Sequence, residues 1–398
     1  MLVLLLEVMQ KGSEKMAIYY PREDSYLLEK HVKRLALGSV LDMGAGTGIQ
    51  ALAAANNRRV KNVLAVDINK GSIEYCKKNS RHKKITYKIS DLFKKIPKQK
   101  FDTIIFNPPY LPQEKARRDI ATEGGKKGYE IIQKFLEQTG NYLKPKGNIL
   151  LLFSSLTNRK MVEQFLKNKL LDFKMIDSIH YFFEELYVYN IIKSPVLRDL
   201  EKKGVKDVQH LAHGKRGVVY TGKYRNKKIA IKTKREESEA IGRIQNEVKC
   251  LKLLNRYKIG PKLVMHNKNW LAYMFVSGEF IRDWIPKAKK TETRRVFRSV
   301  FDKCFKMDQL GVNKEEMHHP LKHIIIGKSV KMIDFERARK TKDPKNVSQF
   351  CQFVMSLKSV LEKKSMKVDK KKIIQLAKEY KKNFDKTSFN AILKELSL

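Results

Sequence analysis

The chain is poor in cysteine and carries half as much acid as base. Its four cysteines, Cys76, Cys250, Cys304 and Cys351, are scattered over 398 residues. No Cys-x-x-Cys pair occurs, which argues against zinc clusters and a disulfide scaffold and fits a reducing, cytoplasmic setting. Long hydrophobic runs are also missing. The run in "MLVLLLEVMQ" is broken by Glu7 and lacks a basic leader, so it is too short for a membrane span and a poor signal peptide. Residues 1–15 read either as a first strand or as an artefact of start-codon choice, since Met16 opens a coherent motif. There is no internal repeat and no long low-complexity linker. What remains is a globular chain of two or three domains, each able to bury a core.

Acid is scarce: 84 lysines and arginines face 42 aspartates and glutamates, a formal charge of +42. Two readings of that surplus stay open. One is a polyanionic partner such as RNA or a ribosome-associated particle. The other is a generally lysine-rich surface, because the lysines run along the whole chain with no single basic tail.

Strands and helices alternate through the first half. "SVLDMG", "NVLAVDI", "ITYKIS" and "FDTIIFN" read as strands, with helices "GIQALAAANN" and "KGSIEYCKKNS" between them. "GYEIIQKFLEQTGNYL" reads as a helix before the strand "GNILLLFSS", and "FFEELYVYNIIK" as an antiparallel strand pair. This alternation predicts an α/β fold, a mostly parallel sheet with helices on both faces. Such sheets bind ligands beyond the carboxyl ends of their strands. After "KSPVLRDLEKKG" the pattern becomes antiparallel and then helical. That places a boundary near Ser194–Pro195, with domains 1–195 and 196–398.

"VLDMGAGTGIQ" puts Gly44, Gly46 and Gly48 at a strand-to-helix turn, where glycine permits close backbone approach. Such turns serve nucleotides, flavins and S-adenosylmethionine alike. The spacing is Gly-x-Gly-x-Gly, not the dinucleotide Gly-x-Gly-x-x-Gly, which favours S-adenosylmethionine. Asp42 precedes the first glycine. Asp67, ending the next strand, can accept both ribose hydroxyls, each bond contributing about 1.5–3 kcal/mol. Asp91, in "ISDLF" beside Leu92, sits where an adenine amino group can donate.

"FDTIIFNPPYLP" runs a core strand into Asn107-Pro108-Pro109-Tyr110. Two prolines stop a strand at once. An amide nitrogen is a poor nucleophile because its lone pair is delocalised. The side-chain oxygen of Asn107 and the carbonyl of Pro108 form an acceptor pair that can grip both its N–H bonds and orient it toward a methyl group. Tyr110 can pack on the planar substrate. The bland reading of the same residues is a Pro-Pro turn with a capping asparagine.

"DMGAGTG", "VDIN", "SDLF" and "NPPYLP" together resemble the class I S-adenosylmethionine-dependent methyltransferases of the HemK type. "YYPREDSYLLEKHV" is similar to the eukaryotic and archaeal branch, which modifies the glutamine of a Gly-Gly-Gln loop in translation release factors. The resemblance covers roughly Met16 to Lys193. It implies a Rossmann-like, mostly parallel seven-stranded sheet, a cofactor covered by Ser25 with Glu23 and Asp24 beside it, and a substrate loop holding Gly124, Gly125 and Gly128. It also implies a release factor as protein substrate and a small zinc-binding activator as partner. Asn-Pro-Pro-Tyr occurs in adenine-N6 methyltransferases of RNA and DNA too, so that acceptor stays an alternative; no nucleic-acid module is visible in residues 1–193.

In the second half, "HGKRGVVYTG" holds Gly214 and Gly217, "IAIK" supplies Lys232, and Glu247 follows on a helix. "MFVSGEFIRDW" looks like a hinge crossing. "VKMIDFERA" supplies Asp334, with Glu336 where a glycine is usual. In that order they resemble a small α+β protein kinase of the Rio or KEOPS type over about Lys203 to Gln352. The resemblance implies ATP bound by Lys232 and Mg²⁺ by Asp334. "NKEEMHHPLKHIII" departs from the kinase catalytic loop: His318 and His323 stand where Asp and Asn belong. Glu316 is the nearest carboxylate that can act as base. His318, His319 and His323 admit a metal site as an alternative, and an inactive adaptor is another. The tail reads as amphipathic helices.

Overall fold

The computed structural model describes residues 18–113, 122–214, 217–234 and 243–398. The readings placed on residues 1–15, on Met16, on Lys215 and Arg216 of the glycine-rich segment, and on Asp119–Ala121 ahead of the substrate loop lie outside the described residues.

The chain divides into two units, Met1–Lys203 and Gly204–Leu398. The expected boundary at Ser194–Pro195 falls instead inside the first unit. Ser194 caps the helix Pro195–Lys202, its side chain accepting from the Leu197 amide, and Pro195 takes the first helical position. A Ser-Pro pair suits a helix start as well as a linker. The helix is tied to its own unit by Lys193, whose fully buried ammonium donates to the Gly140 carbonyl at 2.8 Å and to Glu201 at 2.5 Å.

In the first unit the elements are α1 (Glu23–Leu35), β1 (Gly38–Met43), α2 (Ile49–Ala55), β2 (Val60–Asp67), α3 (Lys70–Asn79), β3 (Ile85–Ile89) and β4 (Phe101–Phe106). The short strands β5 (Leu111–Pro112) and β6 (Glu123–Gly125) follow, then α4 (Glu130–Tyr142), β7 (Leu143–Ser154), α5 (Arg159–Asn168), β8 (Leu171–His180), β9 (Glu185–Lys193) and α6 (Pro195–Lys202). The seven-stranded sheet has the order β3-β2-β1-β4-β7-β9-β8. Its first five strands are parallel, and β9 runs antiparallel to both β7 and β8.

Successive strand residues face opposite sides. Ile105 joins the buried cluster of Leu28, Ala51 and Leu150, while its neighbour Phe106 packs on Phe135 of α4 with ring centroids 4.5 Å apart. Helices therefore cover both faces. The expected strand pair in "FFEELYVYNIIK" needs correction. Glu185–Lys193 is one uninterrupted strand, its single turn-type residue Asn190 being held in register with Leu150 on one side and Lys174 on the other, and its hairpin partner is the upstream β8; Phe182 and Phe183 lie in the connection.

Strand order reverses between β1 and β4. Met43 and Phe106 are register partners, so the chain leaves both strands side by side. Two segments that diverge there open a crevice at the carboxyl edge of the sheet.

The second unit opens with a five-stranded antiparallel sheet in the order β10-β11-β12-β14-β13: β10 (Lys206–His213), β11 (Gly217–Tyr224), β12 (Lys227–Lys234), β13 (Leu263–His266) and β14 (Trp270–Met274). Helix α7 (Arg243–Leu254) lies between β12 and β13 in sequence; the first four residues of the helix expected from Glu239 are outside the description. The hairpin expected in "HIIIGKSVKMIDF" forms from Ile324–Ile326 and Val330–Met332. The rest is mainly helical, around a core that includes Phe297, Phe301 and Phe350. Among the described residues no helix is long and apolar enough to cross a membrane.

Burial works against the charge of Lys193, and Glu201 opposes that effect. Glu201→Ala strands a buried cation, so the first unit should lose about 3 kcal/mol. Faster hydrogen exchange at the Tyr187–Ile191 amides would register the loss, and Lys193→Met on top of it should restore part of the protection.

Candidate active site

The crevice is a cavity of about 530 Å³. Its lining includes Tyr19 with Pro21 to Ser25, the turn Gly44 to Thr47, Asp67 to Asn69, Ser90 to Leu92 and Asn107 to Leu111, with Glu123, Tyr181 and Glu184 from further along the chain. The structure thus brings together Ser25, Gly44, Gly46, Asp67, Asp91, Leu92, Asn107, Pro108 and Tyr110.

The turn holds its shape through backbone that only small residues adopt easily. Gly46 has φ +54° and donates its amide to Asp67 Oδ2 at 2.9 Å. The Asn69 amide donates to the other oxygen of Asp67 at 2.8 Å. A carboxylate offers about four acceptor positions, so these bonds leave room for a ligand hydroxyl. Burial pushes the Asp67 carboxyl above its ordinary range, and the Asn69, Gly46 and Ile68 amides pull it back. Asp91 is half exposed and bonds Lys94 at 2.6 Å. Leu92 is left-handed at φ +44°, and its carbonyl accepts from Ser90 Oγ at 2.8 Å. A branched residue in that conformation carries strain of the kind that collects at ligand sites.

Asp42 is placed differently from the other predicted residues. It does not line the cavity but is buried behind the glycine turn, 1% exposed, with Oδ2 lacking any partner. Desolvation, followed by the Asp67 charge, pushes its pKa up to about 8.

Asn107 is fixed by a residue 83 positions away. Its Nδ2 donates to Asp24 Oδ2 at 2.8 Å. Asp24 is itself buried: Oδ2 also accepts from the Tyr19 hydroxyl at 3.0 Å, and Oδ1 accepts from the Ser25 amide at 2.6 Å and Ser25 Oγ at 3.1 Å. A carboxylate held this way only accepts, so it sets which end of the Asn107 amide faces it. The Asn107 oxygen is left buried with no hydrogen-bond partner. An acceptor in that state costs free energy until an N–H meets it. Tyr110 packs at the edge of the apolar cluster, and its carbonyl accepts from Thr157 Oγ1 at 3.1 Å.

The predicted substrate-loop glycines buttress this loop. A Cβ on Gly124 would stand 2.1 Å from the Gly128 carbonyl oxygen and 2.7 Å from that of Pro109. One on Gly128 would stand 2.6 Å from the Tyr110 carbonyl, and Gly125 closes the pairing with Pro112.

The sequence resemblance places Asp24 beside Ser25 in the segment covering the cofactor, not as the partner of Asn107, and it does not single out Tyr19, Gln50 or Glu184. Gln50 Nε2 donates to the Ser25 carbonyl at 2.8 Å; its Oε1, like Glu184 Oε1, is buried without a partner. Only proximity in space distinguishes these residues. The charged side chains on the cavity wall, among the described residues, are Glu23, Asp24, Asp67, Asp91, Glu123 and Glu184 against a single Arg22. That is the reverse of the chain's overall balance.

In the second unit Lys232, 8% exposed, meets Glu247 at 2.8 Å, Asp334 at 2.7 Å and Glu336 at 3.1 Å. Burial opposes its charge, but these carboxylates outweigh it and hold its pKa well above the usual lysine value. Gly217 lies against this lysine, a Cβ there standing 3.8 Å from Lys232 Cε, and Gly214 donates its amide to the Gly217 carbonyl at 2.9 Å. Asp334 is left-handed, φ +63°. Lys314 was not anticipated: fully buried, it donates to the Asp334 carbonyl at 2.5 Å and lies 3.2 Å from Glu316. His323 Nδ1 is 3.9 Å from Asp334 Oδ2, and burial lowers its pKa. The three-histidine metal alternative is not assembled: His318 and His319 are exposed, and among the described residues the group placed to hold an ion is Glu247, Asp334 and Glu336.

Residues 23–179 match the family model described as a methyltransferase small domain. A putative protein N5-glutamine methyltransferase of Methanocaldococcus jannaschii is 39% identical over 182 residues, covering 44% of this chain and 90% of the relative. A release factor glutamine methyltransferase of Streptococcus pneumoniae is 34% identical over 125 residues, covering 28% of this chain and 44% of the relative. Among solved structures, that of the E. cuniculi Mtq2–Trm112 complex, described as responsible for methylating the eRF1 termination factor, is 26% identical with a TM-score of 0.37. It covers 44% of this chain and 98% of that one.

Unfolded Asp42 ionises near its usual 3.8, and folded Asp42 near 8. Between those values the folded protein keeps a proton that the unfolded chain has lost, so this group removes stability as pH rises across the window. Asp42→Asn should therefore stabilise most above about pH 8 and not at all below about pH 4, read from urea midpoints across the pH range.

Proposed function

The chain belongs to the protein glutamine methyltransferase family, and we propose that its first unit transfers a methyl group from S-adenosylmethionine to the side-chain amide of a glutamine in the Gly-Gly-Gln loop of a translation release factor. The observation that carries this reading is the unpartnered, buried oxygen of Asn107, oriented by Asp24. It is an acceptor prepared for an N–H on a neutral, planar group.

The cavity residues fit the cofactor. Asp67 would hold the ribose hydroxyls, Asp91 and Leu92 the adenine, and the backbone of Gly44 to Gly46 would allow close approach. When bound, S-adenosylmethionine supplies a methyl carbon made electrophilic by its sulfonium. This chain's residues do the rest. Asn107 Oδ1 and the Pro108 carbonyl would accept the two amide hydrogens, turning the nitrogen's face toward the donor and stabilising its growing positive charge; the C–N bond forms as the donor's C–S bond breaks to leave a neutral thioether, and one of the two gripped hydrogens then departs as a proton to water. Pro108 and Pro109 keep those acceptors rigid, and Tyr110 screens the substrate from water.

The acidic wall bears on the choice of acceptor. Six carboxylates against one guanidinium favour a cationic donor and repel a phosphate backbone. That supports protein glutamine over adenine in RNA or DNA, whose binding rests on phosphate neutralisation.

Radiolabelled methyl from S-adenosylmethionine should enter a release factor and not bulk tRNA. Asn107→Ala should slow transfer at least about a hundredfold. Asp24→Leu should slow it at least about tenfold, while cofactor affinity by calorimetry stays within about threefold. Label in tRNA alone would overturn the reading in favour of adenine.

For the second unit, the cluster around Lys232 supports a kinase-like, nucleotide-binding reading. One ammonium shares three carboxylates, a donor set that suits a nucleotide carrying Mg²⁺ better than a bare phosphate. Lys232 would meet the phosphates and Asp334 the metal, while Glu336 competes for the same lysine. Calorimetry with Mg-ATP should show binding that Lys232→Met and Asp334→Asn abolish and that Glu336→Gln tightens by about threefold or more. No uptake by wild type and Glu336→Gln alike would discard it.

A further inference from the structure

The β8–β9 connection is built from residues that turns seldom use. Tyr181 and Glu184 close it with paired backbone bonds, Tyr181 N–H to the Glu184 carbonyl at 2.6 Å and the reverse at 3.4 Å, leaving Phe182 and Phe183 as the two central residues. Two-residue hairpin loops favour glycine, asparagine or aspartate because they need left-handed backbone. Neither phenylalanine is left-handed. Both rings stand in solvent, 89% and 85% exposed, stacked edge-to-face with centroids 4.5 Å apart. Two adjacent aromatic rings in water lose the stabilisation that burial would give. Neither local conformation nor the core accounts for them.

Their position does. The flanking residues Tyr181 and Glu184 both line the cavity, so the ring pair stands at its mouth. The mouth is acidic. After burial itself, the carboxylates of Glu23, Asp24 and Glu184 raise the Tyr181 pKa, which places all three near that phenol. Glu184 Oε1 has no partner. Exposed aromatic faces beside carboxylates are the two components that recognise lysine and arginine side chains, by cation–π contact and by charge.

We propose that the Tyr181–Glu184 turn docks a basic segment flanking the methyl-accepting glutamine of the protein substrate. This rests on the protein-glutamine reading above. The aromatic pair would lie along the cationic side chains while Glu23 and Glu184 pair with their charges, holding the acceptor amide at the cavity mouth.

The test uses the full chain, with fluorescein-labelled Gly-Gly-Gln peptides flanked either by lysines or by glutamates. The wild type should bind the lysine-flanked peptide at least about tenfold more tightly by anisotropy, with a matching difference in KM. Changing Phe182→Ser and Phe183→Ser together, at exposed positions that leave the cavity wall intact, should weaken binding of the lysine-flanked peptide about tenfold. It should leave kcat and S-adenosylmethionine affinity unchanged. Equal binding of the two peptides, or a Phe182/Phe183 variant that binds as wild type does, overturns the docking proposal. Turn-dependent binding of a peptide that is never methylated keeps the docking site and discards the glutamine reaction. Loss of an RNA oligonucleotide complex, or of a chain dimer in sedimentation, on the same changes would assign the rings to those partners and overturn the proposal.

Discussion

The first unit depends on one hydrogen bond, from Asn107 Nδ2 to Asp24 Oδ2. It ties the first turn of α1 to the residue that follows β4, and it decides which atom of an amide faces the cavity. A carboxylate with four accepted bonds has no freedom to rotate away, so the Asn107 oxygen stays where no protein donor reaches it. A buried acceptor without a protein donor is unfavourable unless some other N–H or O–H meets it, and that is the constraint on which the proposed reaction draws. Around this bond the sheet supplies position. Met43 and Phe106 lie side by side because strand order reverses between them, and that reversal puts the glycine turn and the Pro-Pro loop on opposite walls of one crevice.

Charge is distributed with the same economy. A chain of +42 places carboxylates around its cavity and lysines almost everywhere else. The overall surplus therefore says little about what enters the cavity, whose local field has the opposite sign. In the second unit the motif of charge is inverted again. Lys232 and Lys314 are buried cations held among Glu247, Asp334, Glu336 and Glu316. Leaving any one of these groups unpaired in such a setting is strongly unfavourable, which is why they occur as a network.

Much of the site was legible because its chemistry is written in short local strings. Gly44 and Gly46 are needed by a turn, Asp67 ends a strand, Asp91 follows one by two residues, and Asn107 to Tyr110 stop a strand with prolines; each motif spans a few residues and needs only its neighbours to be understood. Asp42 belongs to the same local string yet faces the interior behind the turn, because strand residues alternate sides and spacing alone does not say which side is solvent. The Ser194–Pro195 pair misled for a related reason: it reads equally as a linker and as a helix start, and Lys193 with Glu201 decides for the helix.

The sequence by itself determined the alternation of strands and helices, the glycine turn, the rigid Asn-Pro-Pro-Tyr edge and the change of character after the first unit, since each follows from propensity and periodicity over a short window. Only the tertiary structure decided that Asp24 orients Asn107, that the cavity wall is acidic within a basic chain, that Lys314 joins Lys232 in a buried cluster, and that Phe182 and Phe183 stand at a cavity mouth. Those facts are distances between residues far apart in the chain, and such distances are set by how the sheet orders its strands and by what packs on it, quantities that no local stretch of amino acids contains.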